Sequence, residues 1–318
     1  MLSIALSLAP IFLLILLGYA MKRGQFVPDT FWAPAEKVVY FISFPALLVA
    51  SLAKADLAEL AWQAIAVSLA GATLGAALLA TLARPWLGGT AAAFTSAFQG
   101  SIRPNTYIGL AGAAALFGDV GVTLTAVCIA AVVPLVNILA VACLSVAVPA
   151  QGGPRLVATL SGIARNPLIL ACIVGIALNV AGVGLPPIIG PLLEILGAAA
   201  LPVGLLAVGA GLALDALRGT GRPLVMACIL KLGALPLLAL VILLGIQASG
   251  MEVSAAAFGV ALLYAALPCS ASSYVLARQM GGDAPLMANI ITLQTLLAAG
   301  TIPLLFVGLA LAGLSPLP

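Results

Sequence analysis

Apolar stretches, each about as long as a membrane-spanning helix, recur along the whole chain and decide its class. A helix needs roughly 20 predominantly apolar residues to cross the hydrocarbon core of a bilayer. Only 7% of the 318 residues are charged, and the mean hydropathy of +1.29 is outside the range of soluble domains. The sequence therefore predicts an all-α polytopic membrane protein.

Ten spans are predicted along the chain. The first apolar run has no basic segment before it and is followed by Lys22 and Arg23, which indicates a membrane helix and not a cleaved signal peptide. The predicted spans cover residues 2–21, 32–53, 61–83, 91–117, 120–148, 167–182, 187–214, 222–247, 254–279 and 284–313.

Basic residues concentrate on alternate connections between these spans. The even-numbered connections carry only Lys54. By the positive-inside rule, the odd-numbered connections face the cytoplasm and both termini face outwards. The connection 149–166 is basic and contains proline and glycine, and we expect it to be a cytoplasmic linker. The residues at or beside the odd-numbered connections are Lys22, Arg23, Arg84, Arg155, Arg165, Arg218, Arg222 and Arg278.

The two halves of the chain carry proline and glycine at matching positions. In the first two spans of each half the offset is 157 residues, and between the fourth and ninth spans it is 164. A repeat of five spans inserts in opposite orientations in its two copies, so residues 1–148 and 167–318 are predicted to form inverted repeats, as in many secondary transporters. The matching pairs are Pro10 and Pro167, Gly18 and Gly175, Pro45 and Pro202, and Pro104 and Pro268.

Two of these prolines interrupt apolar spans that also contain polar residues. Pro104 lies in GSIRPNTYIGLAGAAALFG and Pro268 in LPCSASSYV. Proline breaks a helix, and the freed backbone groups are tolerated in a membrane only inside protein or beside a watery cavity. The half-helices after the breaks, starting near 105–106 and near 269–270, would direct their N-termini at one ligand. Helix N-termini favour an anion.

The residues around the two breaks are the candidate substrate site. Arg103 is costly in a membrane interior unless it is paired or hydrated, and it is either a bidentate clamp on a carboxylate or the partner of an acid. Asn105 and Thr106 either contact the substrate or only cap the broken helix. Tyr107 either covers the ligand or packs against the protein. The serines after Pro268 offer hydroxyls, or satisfy their own backbone; they are Ser270, Ser272 and Ser273.

Other intramembrane polar residues are assigned more general roles. Lys231 and Glu194 are candidate coupling or gating groups, or they pair with each other. A group in the fifth and tenth spans is expected to line the back wall of the site. The five cysteines lie singly in apolar spans and histidine is absent, so we expect no metal site and no cofactor. The back-wall residues are Asn137, Asn289, Thr292, Gln294 and Thr295.

Several of these segments resemble the auxin efflux carrier family, which includes the PIN-FORMED carriers and many bacterial organic-acid permeases. The segments are PNTYIGLAGAAALFGDVG, AALPCSASSYVLARQMGGD, FISFPALLVASL, NPLILACIVGIAL and ALPVGLLAVGAGL. The resemblance implies ten helices in two inverted repeats, with spans 4 and 9 crossing as in the sodium/bile-acid symporter fold. It implies a scaffold of spans 1, 2, 6 and 7 that commonly dimerises and a moving transport domain of spans 3–5 and 8–10. Asn105 matches the family's substrate-contacting asparagine.

These observations predict an elevator-type carrier of small organic anions, namely mono- or dicarboxylates or auxin-like acids, in the cell inner membrane. A sodium-coupled bile-acid-type symporter is an alternative, but it would need an acid near the ninth-span break, and none lies between Glu252 and Asp283. A cation/proton antiporter would need aspartates within the membrane near the crossing. Asp119 and Asp283 lie instead at the ends of their spans, which argues against this class. A channel or a sensor on the same fold is a further alternative. No enzyme activity and no nucleic-acid partner are predicted, because no catalytic arrangement is present.

Overall fold

Eleven helices and the segments that join them make up the described part of the chain. The computed structural model describes residues 2–55, 62–87, 89–147, 164–217 and 221–314. In order, the helices are α1 (Leu2–Arg23), α2 (Asp29–Lys54), α3 (Trp62–Leu87), α4 (Ala91–Ile102), α5 (Thr106–Ala147), α6 (Pro167–Val180), α7 (Ile189–Ala210), α8 (Arg222–Ala248), α9 (Ala255–Ala265), α10 (Ser272–Met280) and α11 (Ala284–Leu311).

The helices confirm a polytopic membrane protein. By length and composition, seven of the described helices are able to cross a membrane, and α6 and α9 are shorter apolar helices. The 42-residue α5 changes direction at Gly118, where φ is 59° and ψ is −144°. The count of ten spans and the two-repeat division stay predictions. Most of the predicted linker 149–166 lies outside the described residues.

Two of the long helices contain one widened turn each, and both turns precede a proline. Phe44 donates its backbone N–H to Val39 in α2, and Leu235 donates to Leu230 in α8, five residues back instead of four. The next residue in each helix is proline, which has no N–H and whose ring clashes with the carbonyl four residues earlier. The wide turn accommodates this ring without ending the helix.

Glycines allow α1 and α7 to approach backbone to backbone. A Cβ atom at Gly18 would overlap the carbonyl oxygen of Leu206, and one at Gly209 would overlap that of Ile15. Small residues at such contacts are typical of membrane helices, where close van der Waals packing drives association. The pair α1–α7 is therefore fixed by the absence of side chains at these two positions.

The contact between α2 and α6 has a similar arrangement. A Cβ atom at Gly175 of α6 would lie 2.8 Å from Cβ of Leu52 and 3.3 Å from Cα of Val49 in α2. Gly175 lies 157 residues after Gly18, and Leu206 lies 157 residues after Val49. The same sequence offset that relates the matching prolines thus also relates these two helix contacts.

We predict that Gly209→Ala will lower the melting temperature of the protein in detergent, because the added methyl group must push α1 and α7 apart. Overpacking of this kind costs about 1–3 kcal/mol. The matched control is Gly245→Ala in α8, where a Cβ atom would meet nothing within 4 Å. Equal melting temperatures for the two variants would contradict the close α1–α7 contact.

Candidate functional site

The two proline breaks lie against each other, and we call residues 103–105 and 266–271 together the crossover. α4 ends at Ile102 and α5 begins at Thr106, while α9 ends at Ala265 and α10 begins at Ser272. Pro104 and Cys269 form an antiparallel bridge, and Asn105 donates its backbone N–H to the carbonyl of Pro268 at 2.8 Å. The breaks therefore occur where they were predicted, although α10 begins at Ser272 and not near residues 269–270.

Four helix ends meet at the crossover. α5 and α10 begin there and α4 and α9 end there, so two positive and two negative ends of helix dipoles lie at the crossover. The N–H groups at the two helix starts bond Asn105, Ser270 and Ala271. At its other end α4 contacts the segment between α10 and α11, because Ser96 Oγ donates to the Asp283 carbonyl at 2.9 Å. Two helix N-termini and two helix C-termini therefore lie in one region, and the C-termini need positive partners.

Arg103 lies inside the crossover, and its hydrogen-bond partners among the described residues are neutral. The residue is only 7% exposed. Its Nη2 donates to Asn137 Oδ1 at 2.7 Å and its Nη1 to Ser272 Oγ at 3.2 Å. The buried Nε has no hydrogen-bond partner in the described part of the chain. Among the described residues Arg103 forms no ion pair, so of its two predicted roles the pairing with an acid is not observed there.

Asn105 caps the broken helix with only one end of its side-chain amide. Its Oδ1 accepts hydrogen bonds from the backbone N–H groups of Tyr107 at 3.1 Å and Ile108 at 3.3 Å. The side chain is 2% exposed, and its Nδ2 donates to no group in the described residues. The capping role and a contact with substrate are therefore compatible, because the donor half of the amide is available.

The ring of Tyr107 packs against α2 and α7. Its ring stacks on Phe44 of α2, with centroids 4.5 Å apart and planes 21° from parallel. Gly204 of α7 lies against both rings, since a Cβ atom there would be 3.2 Å from Phe44 and 3.5 Å from Tyr107. The packing role of Tyr107 is thus observed. Thr106, before it, is buried.

The three predicted serines have different environments. Ser272 accepts from Arg103 and its Oγ lies 3.1 Å from that of Ser270, so these two hydroxyls are next to the guanidinium. Ser273 is fully buried, and its Oγ lies 3.2 Å from the sulfur of Cys269. The structure therefore places Ser270 and Ser272 at the charged side of the crossover, and Ser273 in a packed environment.

Gln294 of α11 joins three elements at the crossover. Its Oε1 accepts from the Cys269 backbone N–H at 2.8 Å, and its Nε2 donates to the carbonyls of Gly100 in α4 and Ala227 in α8, both at 2.9 Å. The sequence predicted only a back-wall position for this residue. The sequence could not predict these three hydrogen bonds, because the partners lie far from Gln294 in the chain.

Lys231 and Glu194 do not contact each other. Lys231 is 1% exposed, and its Nζ donates to the carbonyl of Ala265, the last residue of α9, at 3.0 Å. Glu194 is exposed and pairs with Lys54 on the surface. The alternative that these two residues form an ion pair was therefore wrong. Their possible coupling or gating roles stay predictions.

The other polar residues of these helices have diverse partners. Thr292 Oγ1 accepts from the Ala213 backbone N–H at 3.0 Å, and Thr295 donates to the carbonyl of Ile291 in its own helix. Oδ1 of Asn289 is buried without a partner in the described residues. Gln99, which the sequence analysis missed, is fully buried one turn before Arg103, and neither of its amide atoms has a described partner. Its i, i+4 spacing to Arg103 was an available signal.

The number and lengths of the described apolar helices define this chain as a multi-pass membrane protein, and the family comparison supports a membrane transporter. More particularly, residues 154–306 match the family described as Membrane transport protein, which covers carriers of the auxin-efflux type. The resemblance to that family is thereby confirmed for the matched range. The family is one of transporters and not of enzymes. No curated protein matches the chain.

We predict that Gln294→Leu will destabilise the protein by about 3 kcal/mol, because it leaves one buried N–H and two buried carbonyls without a partner. The melting temperature in detergent measures this effect. Thr295→Val is the matched control, since it removes a hydroxyl that bonds only its own helix. A Gln294 variant as stable as the Thr295 variant would show that the amide does not hold the crossover together.

Proposed function

We propose that this protein carries small organic anions, namely mono- or dicarboxylates or auxin-like acids, with the substrate carboxylate bound at the crossover. The observation that supports this most directly is the buried Arg103, whose two described partners are neutral and whose Nε is unpartnered. A buried guanidinium without a counter-ion carries a large desolvation cost. An anionic substrate would offset that cost during each transport cycle.

The surrounding groups favour a carboxylate over a larger or neutral ligand. The guanidinium fork matches the two oxygens of a carboxylate. The N-termini of α5 and α10 add positive ends of helix dipoles on the same region, and Asn105 has a free amide donor beside them. Ser270 and Ser272 supply hydroxyls next to Arg103.

Transport in this proposal occurs by an elevator type of alternating access. The moving part comprises α3, α4, α5 and α8–α11, and the scaffold comprises α1, α2, α6 and α7. The stacked rings of Tyr107 and Phe44 lie on the boundary between the two parts. The close glycine contacts at Gly18 and Gly175 lie within the scaffold, which supports treating the scaffold as one rigid body against which the moving part shifts.

The proposal includes a ten-span topology with both termini outside the cytoplasm, in the cell inner membrane, and a homodimer joined through the scaffold. The change of direction at Gly118 supports counting α5 as parts of two spans. The contacts of Gly18 with Leu206 and of Gly175 with Val49, related by one offset, support two similar halves.

The first test is thermal stabilisation of the purified protein by a panel of mono- and dicarboxylates, with matched neutral amides, in the presence and absence of sodium. A ligand at 100 times its Kd adds about 2.7 kcal/mol of stability to the folded state. We expect carboxylates alone to raise the melting temperature. Stabilisation by the neutral amides alone would overturn the proposal, and stabilisation only with sodium would favour the symporter alternative. Uptake into vesicles that saturates with substrate would distinguish a carrier from a channel.

We predict that Arg103→Gln and Asn105→Asp will each fold and will lose most of the carboxylate-induced stabilisation. The glutamine removes the charge, and the aspartate keeps a capping oxygen while replacing the free amide donor with a negative charge. Because the capping bonds survive in Asn105→Asp, a loss of ligand response there is separable from a loss of the cap. Lys54→Gln is the control, since Lys54 is an exposed lysine paired on the surface. A normal response in both crossover variants would contradict the proposed site.

A further inference from the structure

Lys231 is a second buried cation near the crossover, and the proposed site has not used it. It lies in the widened turn of α8 at Leu230–Ala234 and is 1% exposed. Its Nζ donates to the Ala265 carbonyl at 3.0 Å, and it forms no ion pair with a described residue. A buried ammonium without a counter-ion carries a large desolvation cost, so stability alone gives no reason for a lysine here.

The carbonyl that accepts the hydrogen bond from Lys231 lies at the C-terminal end of α9. Ala265 is the last residue of α9, and a helix C-terminus carries about half a negative charge from its unpaired carbonyls. This negative end points into the crossover, where the proposed carboxylate would bind. Without a positive partner, the end of α9 would repel that carboxylate.

The other helix that ends at the crossover has its own partners. Arg103 follows directly after the last residue of α4, and the Gly100 carbonyl accepts from Gln294. In the second half of the chain, the position 164 residues after Arg103 is Leu267, which carries no charge. The end of α9 therefore takes its positive partner from a different helix, namely α8.

We propose that Lys231 is a positioning residue that fixes the end of α9 and balances its negative charge, so that the crossover binds a carboxylate without a metal cation. This inference rests on the proposed function, since it concerns the same anion site. Lys231 does not contact the substrate. It acts through the Ala265 carbonyl, and its positive charge takes the place that a bound cation would otherwise fill at this helix end.

The experiment compares carboxylate-induced thermal stabilisation of the full-length protein and three variants, without sodium. Lys231→Met keeps the length of the side chain and removes its charge. We expect it to fold, because removal of the buried charge offsets the lost hydrogen bond to the Ala265 carbonyl, and to bind carboxylate at least tenfold more weakly. Lys231→Arg, which keeps the charge, should retain a clear response. Lys54→Met is the matched control for loss of an exposed lysine and should respond like the wild-type protein.

A rescue measurement separates charge from packing. In Lys231→Ala we expect ethylammonium to restore carboxylate stabilisation and neutral propanol of similar size not to restore it. Restoration by sodium would also support the inference, because another cation would then fill the vacated position. Equal restoration by ethylammonium and propanol would overturn it, since that result would make the lysine a space-filling group.

The outcomes distinguish this inference from the proposed function. An unchanged carboxylate affinity in Lys231→Met would overturn the role of Lys231 and leave the anion site standing. A wild-type response that requires sodium would overturn the inference and favour the symporter alternative, while the anion site itself would stand. No response of the wild-type protein to any carboxylate would overturn both. If the Met and Ala variants do not fold, loss of the response in Lys231→Arg would contradict the charge-balancing role.

Discussion

Backbone groups freed by two prolines in the membrane interior are the constraint on which the rest of this structure depends. Water is not available there to bond them, and each unsatisfied group would cost several kcal/mol. The two breaks therefore bond each other through Asn105 and Pro268, and Gln294 satisfies three further groups. As a result α4, α8, α11 and the crossover are tied into one unit, which is what a moving transport domain requires.

The positive charge of the crossover depends on the neutrality of the groups that bond Arg103. If an acid bonded Arg103, the pair would be satisfied within the protein and would exert little attraction on an anion. Asn137 and Ser272 instead hold the guanidinium in place through dipoles, which orient it without cancelling its charge. In a preorganised positive site of this kind the guanidinium is already desolvated when the protein folds. The free-energy cost of binding the proposed carboxylate is then smaller.

The sequence predicted the features that depend on local chemistry. Pro104 and Pro268 each lie beside polar residues within an apolar span, and proline with such neighbours favours a break, so both breaks and the half-helices around them were predictable. The partners of Arg103, Gln294 and Lys231 were not, because they lie 25 to 194 residues away and depend on how the helices pack. Glu194 shows the same dependence on helix packing. Its place in an apolar segment suggested a position deep in the membrane, but it is exposed and pairs with Lys54.

The two halves of the chain reach a similar charge balance by different routes. In the first half, the cation at the end of the broken helix is Arg103, within the break itself. In the second half the matching residue is the apolar Leu267, and the cation comes from Lys231 on a neighbouring helix. Like charges repel strongly in a low dielectric, which disfavours a second cation within the breaks themselves. Lys231, which bonds the Ala265 carbonyl at the end of α9, instead adds its positive charge from outside the break residues, as the proposed anion site requires.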